Sequence, residues 1–311
     1  MQFFDTFNSK LQSDWENAFS KEDKKYPFYH FDWHRAWRET LGIFDRLVIG
    51  VSGNGHILPF RICDNTLSFT GGEEVADYLD LVGPDEKKPK ALSDFFQLTA
   101  GRFNRILLRN IPHDSATINF FRDNLVWKNK VKITFEDTTP IIGLPNSREK
   151  YLESLGRKYR HELKRKIRRF QEQYPTVEFT ADPAIGLTVE RIFELMEFNP
   201  DKKKFLDRHN REFFQAILKL SYAKTFRLVD RKKTIAFKIY FPGQNQFLLY
   251  NSGYDPSYEG AGFMLTAQAI FYAIEKGTNY FNFLQGNERY KYDFGAKDFP
   301  VMRVETVSTR Q

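Results

Sequence analysis

Between residues 246 and 284 the chain passes from a strand-like run, 246–252, through a loop at 253–262 into an apolar helical run at 263–276. It leaves through a second strand-like run at 280–284. Gly277 stops the helix, since a left-handed residue there satisfies the last carbonyls without a steric penalty. A strand, a helix and a second strand in this order form a parallel crossover unit. The loop carries Gly260 and Gly262 just before the helix. Glycines there let backbone approach an anion, and the first N–H groups and dipole of a helix favour phosphate. A G-x-G before a helix is on its own as compatible with an ordinary tight turn.

The rest of the chain fits the same class. Its 311 residues suggest two domains, at about 150 residues each. The first half reads as mixed α/β, with helices at Ser9–Ser20 and 31–41 and strands at Arg46–Val51, 56–63 and 67–70. Asn54-Gly55 suits the hairpin turn between the first two strands. Helices at 91–99 and 115–125 flank a strand at 105–108, and strands at 130–135 and 139–143 follow. From 148 to 174 an apolar stripe, Leu152, Leu155, Tyr159, Leu163, Ile167, Phe170 and Tyr174, predicts one continuous helix. Helices near 189–198 and 211–222 and strands at 225–229 and 234–241 precede the crossover unit.

Charge is unevenly divided. Residues 1–145 hold 18 Lys/Arg against 20 Asp/Glu, whereas 146–311 hold 29 against 20. An anionic ligand is therefore to be sought in the second half. The long helix concentrates the excess in Arg157, Lys158, Arg160, Lys164, Arg165, Lys166, Arg168 and Arg169. Such a face is either solvated or the wall of an anion site. A second segment, FNFLQGNERYKYDFG at 281–295, runs from an apolar strand into a polar loop. Its Lys291 is either structural or a cation that meets phosphate or a developing oxyanion.

Together these segments resemble the GNAT-related family that groups cellulose-biosynthesis-type (BioF2-like) acetyltransferase domains with relatives of the Fem peptidoglycan aminoacyltransferases. The likeness rests on FDWHRAW, ILPF, DYLDLVGPD, LPNSREKYLESLGRKYRHELKRKIRRF, IAFKIYF, YNSGYDPSYEGAGFML and FNFLQGNERYKYDFG. It implies an α/β (α+β) fold of tandem GNAT-like domains, 1–145 and 146–311, each a mixed twisted sheet flanked by helices. The acyl-donor site would lie in the second, with Gly260, Ala261, Gly262 and Phe263 at the pyrophosphate turn. Gly286, Tyr290, Lys291, Phe294 and Gly295 match the family's terminal segment. Lys291 there is implied to meet substrate phosphate or the tetrahedral intermediate. Asp77, Tyr78 and Asp80 match a first-domain stretch that faces the substrate cleft. Single-domain GNAT enzymes carry Gln or Arg three residues before the first glycine, where this chain has Ser257.

The resemblance implies direct acyl transfer, acetyl first among the acyl groups, from acetyl-CoA or another acyl-CoA as donor substrate. The acceptor would be an amine or hydroxyl of a sugar, cell-envelope precursor or lipid head group. Asp255, Asp77, Asp80 and Tyr254 are candidate bases, Asp255 foremost, although its place before Pro256 also suits a turn. Tyr254, Tyr290 and Arg160 join Asp77 and Tyr78 as candidate substrate contacts. Two alternatives stand beside this reading. One is a Fem-like aminoacyltransferase taking aminoacyl-tRNA, with the basic helix on RNA phosphates. The other is a non-catalytic binding protein on the same fold.

The sequence argues against a membrane span, a signal peptide and a metal centre. Cys63 is the single cysteine. It fits a reducing cytoplasm and, in its strand-like run, reads as a buried inert thiol.

Overall fold

The structure is a computed structural model describing residues 1–181 and 187–307. Two compact units divide it, Met1–Thr139 with residues 299–307, and Pro140–Asp298. Relative to the sequence-based division at 145/146, the first unit ends earlier and takes up the C-terminal strand. Residues 308–311 of the expected second domain lie outside the described residues.

In the first unit, strands β1 (Gln2–Phe4), β2 (Arg46–Val51), β3 (Ile57–Cys63), β4 (Thr66–Phe69), β5 (Arg105–Pro112) and β6 (Val131–Thr138) precede the second unit. The second unit holds β7 (Ile141–Gly143), β8 (Val177–Ala181), β9 (Lys224–Asp230), β10 (Lys233–Pro242), β11 (Gln246–Tyr254) and β12 (Tyr280–Asn282). β13 (Pro300–Thr306) then returns to the first sheet, between β5 and β6. The sheet orders are β1-β2-β3-β4-β5-β13-β6 and β7-β12-β11-β10-β9-β8. Each sheet is mixed, with parallel pairs at β4–β5 and β11–β12 and antiparallel pairs elsewhere. The expected class and the crossover unit are both present.

The first unit's core is aromatic and contains a charged knot. Lys88 is fully buried, with Nζ at 2.8 Å from Asp85, 3.2 Å from Asp80 and 3.5 Å from Glu22. Burial alone would lower the Lys88 amine, but the surrounding carboxylates outweigh it and raise its pKa. Asp80 also accepts from Ser115 Oγ, Thr117 Oγ1 and its neighbour's amide, Leu81 N.

In the second unit the helix Ala261–Glu275 is apolar almost all round and packs into the sheet core, with Leu265, Ala269 and Ile270 essentially inaccessible. Full burial of a Leu or Ile side chain contributes about 1.5–3 kcal/mol. β11 also takes a close neighbour. A Cβ on Gly253 would sit 2.6 Å from the backbone of Leu195, so the helix Val189–Glu197 lies directly against the strand.

Three expectations need correction. The continuous basic helix is two, Arg148–Ser154 and Arg157–Gln173, broken where Leu155 turns extended and Gly156 caps the second. Tyr159 consequently leaves the stripe and is 41% exposed. Cys63 is exposed rather than buried, because it ends β3 at the Asp64-Asn65 turn, where both residues take positive φ. Finally, β1, β8 and β13, and a short helix Pro200–Phe205, had no counterpart in the sequence reading.

Candidate functional site

β11 pairs with β12 only over Gln246–Leu248, then continues to Tyr254 while β12 stops at Asn282. The two parallel strands therefore part, as a splayed pair would. Beyond β11 the chain makes a tight turn. Asp255 Oδ1 accepts from both the amide and the hydroxyl of Ser257, at 3.1 and 2.6 Å. Gly260 then takes φ 87° to cap the helix, a left-handed conformation that favours glycine. The Ala261 amide donates to the Tyr258 carbonyl, at 3.0 Å. No side chain caps the helix, and the amides of Gly262 and Phe263 have no acceptor among the described residues. Two uncapped N–H groups at the positive end of a four-turn helix suit an anion.

Those amides stand where two hollows meet. The inner one, about 350 Å³, runs between β10, β11 and the helix opening, past Lys238, Ser252, Tyr254, Gly262 and Tyr290. The outer one, about 220 Å³, is bounded by Arg165, Lys166 and Arg169 of the basic helix. Gly260 and Phe263 line both. Lys166 Nζ sits 4.5 Å above the Phe263 ring, and Arg169 reaches Glu259 at 3.1 Å, tying the basic helix to the turn.

Three lysines converge behind the inner hollow. Lys202 Nζ donates to Asn251 Oδ1 at 3.0 Å and to the Ser252 carbonyl, holding the end of β11. Lys291 Nζ donates to the carbonyls of Leu284, Gln285 and Gly286 at 3.2, 2.7 and 2.9 Å, and pairs with Glu288 at 3.0 Å. It thus closes the turn that follows β12, where Leu284 and Gly286 take positive φ. Lys238, on β10 opposite Ser252, is 4% exposed and lines the hollow with no hydrogen bond or ion pair among the described residues. Burial, reinforced by the Lys202 and Lys291 charges, lowers its pKa to about 7. Burial also lowers Lys202, to about 8.

Of the residues singled out from the sequence, Gly260, Gly262, Phe263, Tyr254 and Tyr290 come together around the inner hollow, with Ala261 buried in the same turn. Lys291 stands behind this wall. Asp255 lies in the turn and also meets Lys233 at 3.3 Å and Arg191 at 3.9 Å. Burial pushes its carboxyl up, but the bonds from Ser257 and Lys233 outweigh that and hold it below the usual value. Arg160 is half-buried on the basic helix and lines neither hollow. Asp77, Tyr78 and Asp80 belong to the first unit, where the Tyr78 hydroxyl bonds Thr139 at 2.6 Å and Asp80 joins the Lys88 knot.

The sequence reading passed over Lys238 and Lys202. For Lys238 a signal was present, a lone lysine inside the apolar strand IAFKIYF. Lys202 falls in the run DKKK and carries no such mark.

Among the described residues no group of three or more His, Cys, Asp or Glu is arranged to hold a metal, and no helix is long and apolar enough to cross a membrane.

Residues 157–292 match the family model of a GNAT acetyltransferase domain. No curated protein matches the chain. Among solved structures, a conserved protein of unknown function from Bacteroides thetaiotaomicron is similar over 99% of this chain and 100% of its own, with 14% identity and a TM-score of 0.66. The C-terminal domain of a putative lysylphosphatidylglycerol synthetase from Agrobacterium fabrum is similar over 94% and 91%, with 12% identity and a TM-score of 0.64. FemX is similar over 98% and 97%, with 10% identity and a TM-score of 0.62.

Proposed function

We propose that the protein transfers an acyl group, acetyl first, from acyl-CoA to an amine or hydroxyl, a reading supported by the match of residues 157–292 to the family model of a GNAT acetyltransferase domain. The acceptor class is a sugar, an envelope precursor or a lipid head group. One observation carries the donor assignment. The amides of Gly262 and Phe263, with no acceptor among the described residues, lie where a hollow walled by the basic helix joins a larger one between β10, β11 and the helix opening. A donor with charged phosphates at one end and a reactive carbonyl at the other fits that division. Its phosphates rest on the amides and beside Arg165, Lys166 and Arg169, and its acyl arm follows β11 inward. The parted stretch of β11 offers backbone N–H to the carbonyl, and Lys291 places positive charge near the developing oxyanion. Asp255 shapes the phosphate turn. Holding donor and acceptor together in one hollow can supply effective molarities on the order of 10⁵ M or more.

Titration calorimetry with acetyl-CoA tests this. A dissociation constant of about 1 μM–1 mM, the ordinary substrate range, is expected, and no heat with acetyl-CoA or longer acyl-CoAs would remove the reading. A second reading, with aminoacyl-tRNA as donor, draws on the open groove of about 660 Å³ beside Lys158, Lys164, Arg165 and Arg168 and on the likeness to FemX. Salt separates the two. RNA held by 6–10 phosphates loses about 10³–10⁵-fold between 50 and 200 mM salt, whereas acyl-CoA binding responds mildly.

A further inference from the structure

We propose that Lys238 is the base of the acyl-transfer step, its amine taking the proton that the acceptor gives up as it attacks the donor carbonyl. The inference rests on the acyltransferase reading above.

Geometry sets Lys238 apart from its neighbours. Lys202 and Lys291 direct their protons at the carbonyls that close β11 and the turn after β12. Lys238 lines the inner hollow from β10, level with Ser252 and Gly253, with no acceptor of its own among the described residues. An unpaired ammonium buried there would be costly. The charged groups around it favour the free amine: Lys202 from the helix Pro200–Phe205 and Lys291 from Arg289–Asp293, opposed only by Glu288 at the mouth of the latter. Tyr254 and Tyr290 are the other titratable walls of the hollow, and burial raises the Tyr290 phenol, which therefore keeps its proton. The Asp255 carboxylate is engaged with Ser257 and Lys233 outside the hollow and is held acidic, a weak base. Lys238 is left as the group with a free lone pair beside the reacting centre at neutral pH.

The step balances. The acceptor nitrogen or oxygen bonds the carbonyl carbon, and its proton moves to the Lys238 amine, which becomes an ammonium. Collapse of the tetrahedral intermediate breaks the carbon–sulfur bond, or the carbon–oxygen bond of an ester donor. Lys238 then returns the proton to the leaving thiolate or alkoxide and is neutral again.

Two measurements test this on the full chain. The first follows thiol release from acetyl-CoA against pH, with glucosamine as acceptor, for the wild type, Lys238→Met and Lys238→Arg, with the donor dissociation constant measured alongside. Wild-type kcat should rise through about pH 7. Both variants should keep donor affinity within about threefold and lose about 10²–10⁴ in kcat. Arg fails to rescue because its guanidinium stays protonated. Variants that retain kcat, or a wild-type profile flat across pH 6–8, overturn the proposal.

The second measurement is trace acetylation of the wild type with acetic anhydride, read at Lys238 by mass spectrometry. Half-maximal labelling near pH 7 is expected, and labelling that begins only above pH 9 overturns the proposal whatever the donor. Labelling near pH 7 without acetyl-CoA binding supports the free amine and overturns the acyl-CoA assignment alone.

Discussion

At the scale of the residue, a buried lysine without a partner, unlike Lys88 in its knot of carboxylates, is an expense that folding alone does not justify. Folded, the Lys238 amine titrates at about 7, and unfolded at about 10.4. Between those values the unfolded chain holds the proton and the folded chain does not, so stability rises with pH across the window. Below the folded value the penalty is fully present. Lys238→Met should therefore be more stable than the wild type at pH 6, by several kcal/mol, since each pKa unit is worth about 1.4 kcal/mol. Its stability should also change less between pH 6 and 10, which urea unfolding across that range checks. A variant less stable than the wild type at pH 6 would show that the amine is satisfied after all. The strand IAFKIYF made this residue legible in principle, because a charge inside an otherwise apolar strand needs a reason. What the sequence withheld was the company. Lys202 and Lys291 are brought beside Lys238 from separate helices, one before β9 and one after β12.

At the scale of the element, the helix opening was the most readable part of the chain. Gly260 caps the helix in the left-handed conformation that a glycine adopts without strain. The spacing of strand, loop, helix and strand yields the parallel pair. Gly262 has a more local reason to be small. A Cβ there would come within 3.1 Å of the Tyr254 ring, which is 50% exposed and has room to swing. Gly262→Val should move that ring into the mouth of the inner hollow. Acetyl-CoA affinity should fall at least tenfold while thermal unfolding stays cooperative, and unchanged affinity would place the donor elsewhere. The basic helix misled because periodicity alone carries a stripe through Leu155-Gly156. Leu155 turns extended to end one helix and Gly156 caps the next without disturbing the apolar spacing.

At the scale of the whole molecule, two domains were expected from chain length and their tandem fold from the family resemblance, but the path of the chain was not. β13 completes the first sheet from the far end of the sequence. Its apolar alternation is disturbed by register shifts on both sides, so Val301 and Val304 are both buried although three apart. Pairing between distant strands leaves no local mark for a reader of sequence. Ending the chain at Asp298 should therefore leave β5 and β6 with unpaired facing edges. The first unit should lose its cooperative transition in calorimetry, whereas a truncated chain that melts like the full one would show β13 to be dispensable.

Amide hydrogen exchange read along the entire chain, with and without saturating acetyl-CoA, bears most directly on the donor site. Bound phosphates should slow exchange at Gly262 and Phe263 by tenfold or more, with smaller effects along β11. Unchanged exchange at those two amides in a protein that binds acetyl-CoA would contradict it.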